Sequence, residues 1–259
     1  SGSDLLVTTG TGSGKTECFL WPVVSNLIRE AHVSPKTWET RGIRALLLYP
    51  MNALVADQIG RLRKILGDSE GRFTKVFQQY AADSEMRSPQ FGMYTGRTPY
   101  PGESSKTKDK KLAATFQSDI LSRDEQFIKE LISLGRYPAK ENFREFVAEL
   151  EEGKHFINKR DAELITRHEI QATCPDILVT NYTMLQYMLI RKIEQPIWEA
   201  TKKWLDASED NKLLLIIDEY TDFRNKTREK IDDMIASLAM DSARTGIHIV
   251  LATQGARVS

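Results

Sequence analysis

Hydrophobic residues along the chain gather into five short runs: LLVT (5–8), RALLLYP (44–50), DILVTN (176–181), LLLIIDE (213–219) and GIHIVLATQ (246–254). Polar residues do not alternate with apolar ones inside them, as they would in a strand wetted on one face. Runs of this kind belong to parallel strands covered by helices on both sides. FGMYTG (91–96) is a weaker sixth. Between the runs the apolar spacing becomes helical, in TECFLWPVVSNLIREA (16–31), ALVADQIGRLRKILG (53–67), YTMLQYMLIRKI (182–193) and REKIDDMIASLAMDSARTG (228–246). Pro22 sits near the first turn of its helix, and Gly67 reads as a C-terminal cap. Strand alternating with helix predicts a doubly wound, mostly parallel α/β sheet.

Residues 101–170 break the alternation. PGESSKTKDKK (101–111) is polar and charged, and reads as a loop. RDEQFIKELISLG (123–135), ENFREFVAELEEG (141–153) and DAELITRHEI (161–170) read as three charged amphipathic helices. The expected organisation is therefore an α/β domain over 1–100 and 171–259, with a helical insertion over 101–170. The insertion is either a solvated cover or a contact surface for a partner or a nucleic acid.

Charge narrows the partners. The chain has 259 residues, with 36 Lys and Arg against 36 Asp and Glu, so nucleic acid can be held only by a local face and not by a broad basic field. No apolar run approaches the roughly 20 residues of a membrane span, so no membrane partner is expected. Cys18 and Cys174 form no spaced pair and read as reduced thiols of a cytoplasmic protein. His32, His155, His168 and His248 are scattered without metal-ligand spacing, and His248 reads as a packed core residue. SGSD leads straight into the first strand without a signal peptide, which suggests a piece of something longer.

The chemistry begins where the first run ends. Thr9-Gly10-Thr11-Gly12-Ser13-Gly14-Lys15-Thr16 joins a strand to a helix. Such glycines let backbone N–H groups converge on phosphate oxygens at a helix N-terminus. Lys15 is long enough to reach the β- and γ-phosphates of ATP, and Thr16 offers a hydroxyl to Mg²⁺. Gly10, Thr11, Gly12, Ser13 and Gly14 complete the cradle, although Thr9 stands where the general P-loop pattern has its first glycine. Asp218 and Glu219 end the strongest apolar run, where the carboxyl edge of a sheet meets its nucleotide. Asp218 is expected to hold Mg²⁺ through water, and Glu219 to polarise the attacking water.

The wording of these motifs resembles superfamily 2 helicases. LLVTTGTGSGKTECFLWPVV, IRALLLYPMNALVADQIGRL, YTGRTP and PDILVTNYTMLQYMLIR are similar to motifs I, Ia and Ib and the Thr-Asn motif after them. The LLYPMNAL-x-x-DQ stretch is similar to large helicase-like proteins of phage-defence systems such as DISARM. This resemblance covers residues 1–219. It implies the first RecA-like lobe of an ATP-driven translocase or helicase, on DNA rather than RNA. It also implies nucleic-acid contacts at Pro50, Asn52 and Ala53, at Thr95, Gly96 and Arg97, and at Thr180 and Asn181, through hydroxyls, N–H groups and one arginine. The plainer reading is that these loops only cap strands.

After Glu219 the wording changes. Helicases usually carry Ala-His after Asp-Glu, and Ser-Ala-Thr as the next motif; here Tyr220-Thr221 follows. Residues 216–254 are instead similar to FtsK/HerA-type DNA pumps, which implies that Gln254 senses the γ-phosphate. A helicase of this class closes two RecA-like lobes over ATP, and the second lobe, or a neighbouring subunit in a pump, brings an arginine finger. The chain is expected to lack that lobe and the adenine-reading segment, and to hydrolyse ATP slowly alone. Three functions remain open: a helicase or translocase lobe, an oligomeric pump subunit, and a P-loop switch or scaffold without turnover.

Overall fold

The computed structural model describes residues 5–9, 15–67, 71–83, 85–100, 103–155, 157–219 and 246–254. Among them seven strands form one sheet: β1 (Leu5–Thr9), β2 (Ala45–Tyr49), β3 (Phe91–Tyr94), β4 (Glu163–Leu164), β5 (Ile177–Asn181), β6 (Leu213–Ile217) and β7 (Ile247–Gln254). Their order across the sheet is β1-β7-β6-β2-β5-β3-β4, and every pair is parallel. The chain steps outward through β1, β2, β3 and β4, then returns through β5, β6 and β7 into the gaps.

The side chains explain the two layers. Successive residues of a strand face opposite ways. Ala45, Leu47 and Tyr49 of β2 pack with Ile177, Val179 and Ile216 under α1 (Lys15–Val33) and α3 (Asn52–Leu66), the helices of the outward path. Leu46 and Leu48 point the other way, with Leu178, Leu215 and Ile217, under the helices of the return path. These are α8 (Arg167–Thr173), α9 (Tyr182–Ile190) and α10 (Gln195–Asp206). Crossovers on one face going out and on the other coming back are what right-handed connections require. Two short helices, α2 (Pro35–Glu39) and α4 (Arg72–Tyr80), complete the outward layer.

Residues 101–170 differ from expectation in two places. The lysine-rich run reads as a loop in sequence, yet Lys106–Phe116 is a helix, α5. Ser105 caps it by accepting the Lys108 N–H, and Asp109 and Ala113 face inward one turn apart. DAELITRHEI is not one helix. Glu163 and Leu164 form β4 against β3, and a capping box of Thr166 with Glu169 then starts α8. A two-residue strand is too short to show a period. The other two helices are present as α6 (Glu125–Ser133) and α7 (Phe143–Glu152). α5 and α7 share a small core of their own, from Tyr100, Ala113, Leu121, Phe143, Val147 and Leu150.

Gly67 ends α3, but not as a left-handed cap: its φ is −106°. Glycine is needed there because a Cβ would stand 2.2 Å from the Cβ of Ala139. The expected helix over 228–246 lies almost wholly outside the described residues. His248 is half-buried rather than packed in the core. It borders a hollow of about 160 Å³ at the amino edge of the sheet, with Pro22, Asn26, Arg44 and Lys212.

That edge holds a buried ionic cluster. Asp176, fully buried just before β5, accepts both Arg87 guanidinium donors at 2.7 and 2.8 Å and the Gln90 N–H at 2.8 Å. Arg44 lies 3.3 Å from the same carboxylate and donates to Glu30 at 2.9 Å. Trp38 and Trp204 wall the cluster, with Arg87 4.1 Å from the Trp38 ring and Arg44 4.6 Å from the Trp204 ring. Burial pushes Asp176 toward protonation, but Arg87 and Arg44 outweigh it and hold the carboxyl below its ordinary value.

Candidate nucleotide site and nucleic-acid edge

The strand order arranges the candidate residues in a line along the carboxyl edge. Thr9 ends β1 and pairs with Gln254 at the end of β7. β6 follows, with Asp218 next after its last residue; then β2, leading to Pro50 and Asn52; then β5, ending in Thr180 and Asn181; then β3, leading to Thr95, Gly96 and Arg97. Phosphate-motif residues thus stand at one end and the three loops expected to meet nucleic acid at the other, with Asp218 and Glu219 between them.

At the nucleotide end, Lys15 opens α1 and Thr16 is buried in its first turn. Gly10, Thr11, Gly12, Ser13 and Gly14 lie outside the described residues. The Asp218 N–H donates to the Leu48 carbonyl at 3.1 Å, which ties it to β2, and its side chain is buried. Its Oδ1 accepts the Glu219 N–H at 2.9 Å. Glu219 has φ +55°, a left-handed conformation that costs a non-glycine residue roughly 1–2 kcal/mol. The turn swings Glu219 out of the strand's line, directly after the buried Asp218. A threonine hydroxyl and a carboxylate are hard oxygen donors of the kind Mg²⁺ takes, with water filling the rest of its shell.

Two features here escape sequence reasoning. Tyr49, the last residue of β2, is buried, and its hydroxyl has no hydrogen-bond partner among the described residues. Burial, followed by the Asp218 charge, pushes its pKa well up. Arg61 of α3 reaches Glu17 of α1 at 2.6 Å and Asp57 at 3.2 Å, so the helix after the phosphate motif is tied to the helix after the Pro50 loop. Only the apolar position of Tyr49 and the spacing of Asp57 and Arg61 are visible in sequence.

At the other end the loops are joined to one another. The Asn181 side-chain amide donates to Asn52 Oδ1 at 2.6 Å, while its own Oδ1 caps α9 by accepting the Met184 N–H. Pro50, Asn52 and Asn181 are half-buried, and Met51 between the first two is exposed.

Thr180 and Thr95 do not offer their hydroxyls outward. Thr180 is fully buried and donates to the Tyr94 carbonyl at 2.6 Å. Thr95 is 1% exposed; its hydroxyl accepts the Arg97 N–H at 3.1 Å, and its own N–H donates to the Thr98 hydroxyl at 2.9 Å. The turn consumes most of its polar groups internally. What it presents is Gly96, above which a Cβ would meet open space, and the exposed Arg97.

Arg167 braces this turn from below. It is buried, donates to the Thr95 carbonyl at 2.7 Å, and lies 5.1 Å from the Tyr94 ring. Its backbone N–H donates to the Pro99 carbonyl at 3.1 Å. Burial lowers its pKa. Sequence reasoning places it in a charged helix of the insertion and gives no sign of this contact.

Residues 1–92, from the phosphate motif to β3, match the DEAD/DEAH box helicase family. Residues 1–92 thus belong to a DEAD/DEAH box helicase domain. Druantia protein DruE of Escherichia coli (strain UMEA 4076-1) is 39% identical over 274 residues, taking in 96% of this chain and 15% of that protein. The ATP-dependent RNA helicase rok1 of Aspergillus terreus is 30% identical over 143 residues, 51% of this chain and 19% of its own length. The rok1 of Aspergillus niger is 39% identical over 62 residues, 24% of this chain and 8% of its own. The chain thus spans less than a fifth of the length of these relatives.

The parallel sheet is that of a RecA-like helicase lobe, as the motif wording implies. Residues 220–245, the middle of the pump-like stretch, lie outside the described residues. The match to DruE takes in 96% of the chain and so extends into that stretch. Among the described residues no helix is long and apolar enough to cross a membrane, and no group of three or more metal-ligating side chains forms. Both cysteines are free; Cys174 is buried, which pushes its thiol up to about 12.

Proposed function

We propose that the chain is the nucleotide-binding lobe of an ATP-driven DNA helicase or translocase of a phage-defence system. Gly10–Thr16 cradle the phosphates, Lys15 pairs with them, Thr16 and Asp218 hold Mg²⁺, Glu219 orients the attacking water, and Gln254 reads the γ-phosphate. Pro50, Asn52, Gly96, Arg97 and Asn181 face the strand, with Thr95 and Thr180 shaping their loops from inside. Of residues 101–170, those before β4 act as an insertion between β3 and β4. A second lobe supplies the arginine finger, and the protein works in the cytoplasm.

The observation that carries this reading is the order along the carboxyl edge. Asp218 is tied by its backbone to β2, the strand that leads into the Pro50 loop, and Asn52 of that loop is bonded to Asn181. A change at the γ-phosphate therefore has a short, packed route to the nucleic-acid loops. The phage-defence setting is supported by the DISARM-like wording.

The test is binding of a labelled single strand followed by anisotropy across a salt series, with and without ATP. Binding to a few phosphates predicts weak affinity and a slope of about −0.7 per phosphate neutralised. Arg97→Ala is expected to weaken all sequences alike and flatten the slope by about one such unit. Unchanged affinity and slope overturn the nucleic-acid edge. A pump-type subunit is the second reading, favoured by β7, where the GIH-apolar-apolar-LATQ wording places Gln254 beside Thr9. A ring-sized mass in solution with ATP supports it; a monomer supports the helicase lobe.

A further inference from the structure

The first helix after the Arg97 turn is the most basic element among the described residues of a chain whose net charge is zero. α5 reads KTKDKKLAATF, and Lys106, Lys108, Lys110 and Lys111 are all exposed. Among the described residues none of the four is in an ion pair, although Lys108 Nζ donates to the Glu103 carbonyl at 2.7 Å. Lys129 pairs with Glu125, Lys154 with Glu152, Lys159 with Glu85, and Lys140 is buried between Asp161 and Glu169; α5 is set apart by gathering four lysines without an acid partner on one helix. The one acid within the run, Asp109, is turned inward and meets His155 Nε2 at 3.2 Å. Glu152, at the facing end of α7, is already held by Lys154 at 2.6 Å.

A relay of contacts ties α5 to the Arg97 turn, with Lys106 and Lys110 on one flank of the helix and Lys108 and Lys111 on another. Asp109 holds His155, whose ring lies 4.5 Å from that of His168. His168 follows Arg167, whose side chain grips the Thr95 carbonyl and whose backbone grips Pro99. Tyr100, next after Pro99, packs into the same small core as Ala113 of α5. The lysine helix and the Arg97 turn are thus fastened to one support.

We propose that Lys106, Lys108, Lys110 and Lys111 extend the nucleic-acid track from the Arg97 turn onto the insertion, holding the phosphate backbone of a single strand without reading bases. The proposal rests on the reading that the carboxyl edge binds nucleic acid. Lysines on long stems are mobile point charges that suit a row of phosphates more than any fixed bidentate partner. The other outward residues of α5 are Thr107, Ala114 and Thr115, with no exposed aromatic or large apolar anchor. A protein interface would need such anchors, so an acidic protein is the poorer fit.

The four lysines replaced together by glutamine leave the inward face of α5 intact, and circular dichroism checks the fold. Anisotropy is measured over a salt series with single-stranded DNA of about 8 and about 20 nucleotides. The parent is expected to bind the longer strand more tightly and with the steeper salt slope. The quadruple variant is expected to lose about tenfold on the longer strand, with a slope flatter by about 2, and to match the parent on the shorter one. Arg97→Ala weakens both. If the quadruple variant equals the parent on the longer strand while Arg97→Ala still weakens both, the insertion track is wrong and the edge reading stands. If the parent binds neither strand, the edge reading fails and takes the track with it. Polyglutamate that displaces the strand at equal charge concentration assigns the face to an acidic protein, and also overturns the track.

Discussion

The sheet has two polar ends, and they are built differently. At the amino edge, Asp176, Arg87, Arg44 and Glu30 form a closed set, every charge buried against its opposite and walled by Trp38 and Trp204. At the carboxyl edge, Glu219 is held in a left-handed turn, the Tyr49 hydroxyl is buried without a partner among the described residues, and Arg97 is exposed above a turn whose own polar groups are spent. Burial of charge alone does not mark function here, since the amino edge has more of it. The difference lies in the buried Tyr49 hydroxyl left without a partner among the described residues and in the exposed Arg97. Perturbed groups are functional candidates only when something outside the fold must complete them.

The comparison is sharpest at Asp176. Removing one partner of a buried pair strands the others, so Asp176→Ala is expected to destabilise by about 3–5 kcal/mol in urea unfolding. Nucleotide affinity of the folded fraction is expected to stay as in the parent. The carboxyl of Asp176 is held below its ordinary 3.8, so its contribution is complete above that value and lost as pH falls through the lower, folded one. A parent that loses stability from pH 8 to 5 through this cluster breaks the account of a saturated amino edge.

Arg167 belongs to neither kind. It is a buried cation that spends itself on the Thr95 carbonyl, so it shapes the turn proposed to meet nucleic acid rather than offering its own charge there. Arg167→Met removes that bond at about 1–3 kcal/mol of stability. Single-strand affinity is expected to fall several-fold while ATP binding holds. Equal losses of both would mean that the whole lobe has loosened.

The smallest effect is expected at His168. Burial, then the neighbouring His155, lowers its pKa. The unfolded chain therefore binds the proton more readily, and stability is full above the ordinary value of 6.5 and declines below it. His168→Asn is expected to flatten this shallow acid loss in a thermal melt series; an unchanged profile contradicts it.

The sequence shows most of the sheet because buried parallel strands carry their signal in each residue: β2, β5 and β6 read directly as apolar runs. It hides what depends on distance in the fold. β4 has two residues and no period. The first half of α5 is lysine-rich, and its inward residues Asp109 and Ala113, with Leu112 and Phe116 packed beside them, come mostly after it, so its start passes for a loop. His155 and His168 stand apart in sequence and meet only because the insertion folds back on α8. At the site, residue types and spacing carry Asp218, Glu219 and the three loops to one edge. Whether a hydroxyl points outward is a matter of packing, and that is where Thr95 and Thr180 differ from their expected role.

The central claim is that the carboxyl edge, unlike the amino edge, is completed by nucleotide. Titration calorimetry with Mg²⁺-ATP on the parent, Lys15→Ala and Asp176→Asn tests it most directly. The account predicts heat of binding for the parent and for folded Asp176→Asn, and none for Lys15→Ala, which loses the motif's positive side chain. Lys15→Ala binding ATP as tightly as the parent would contradict it.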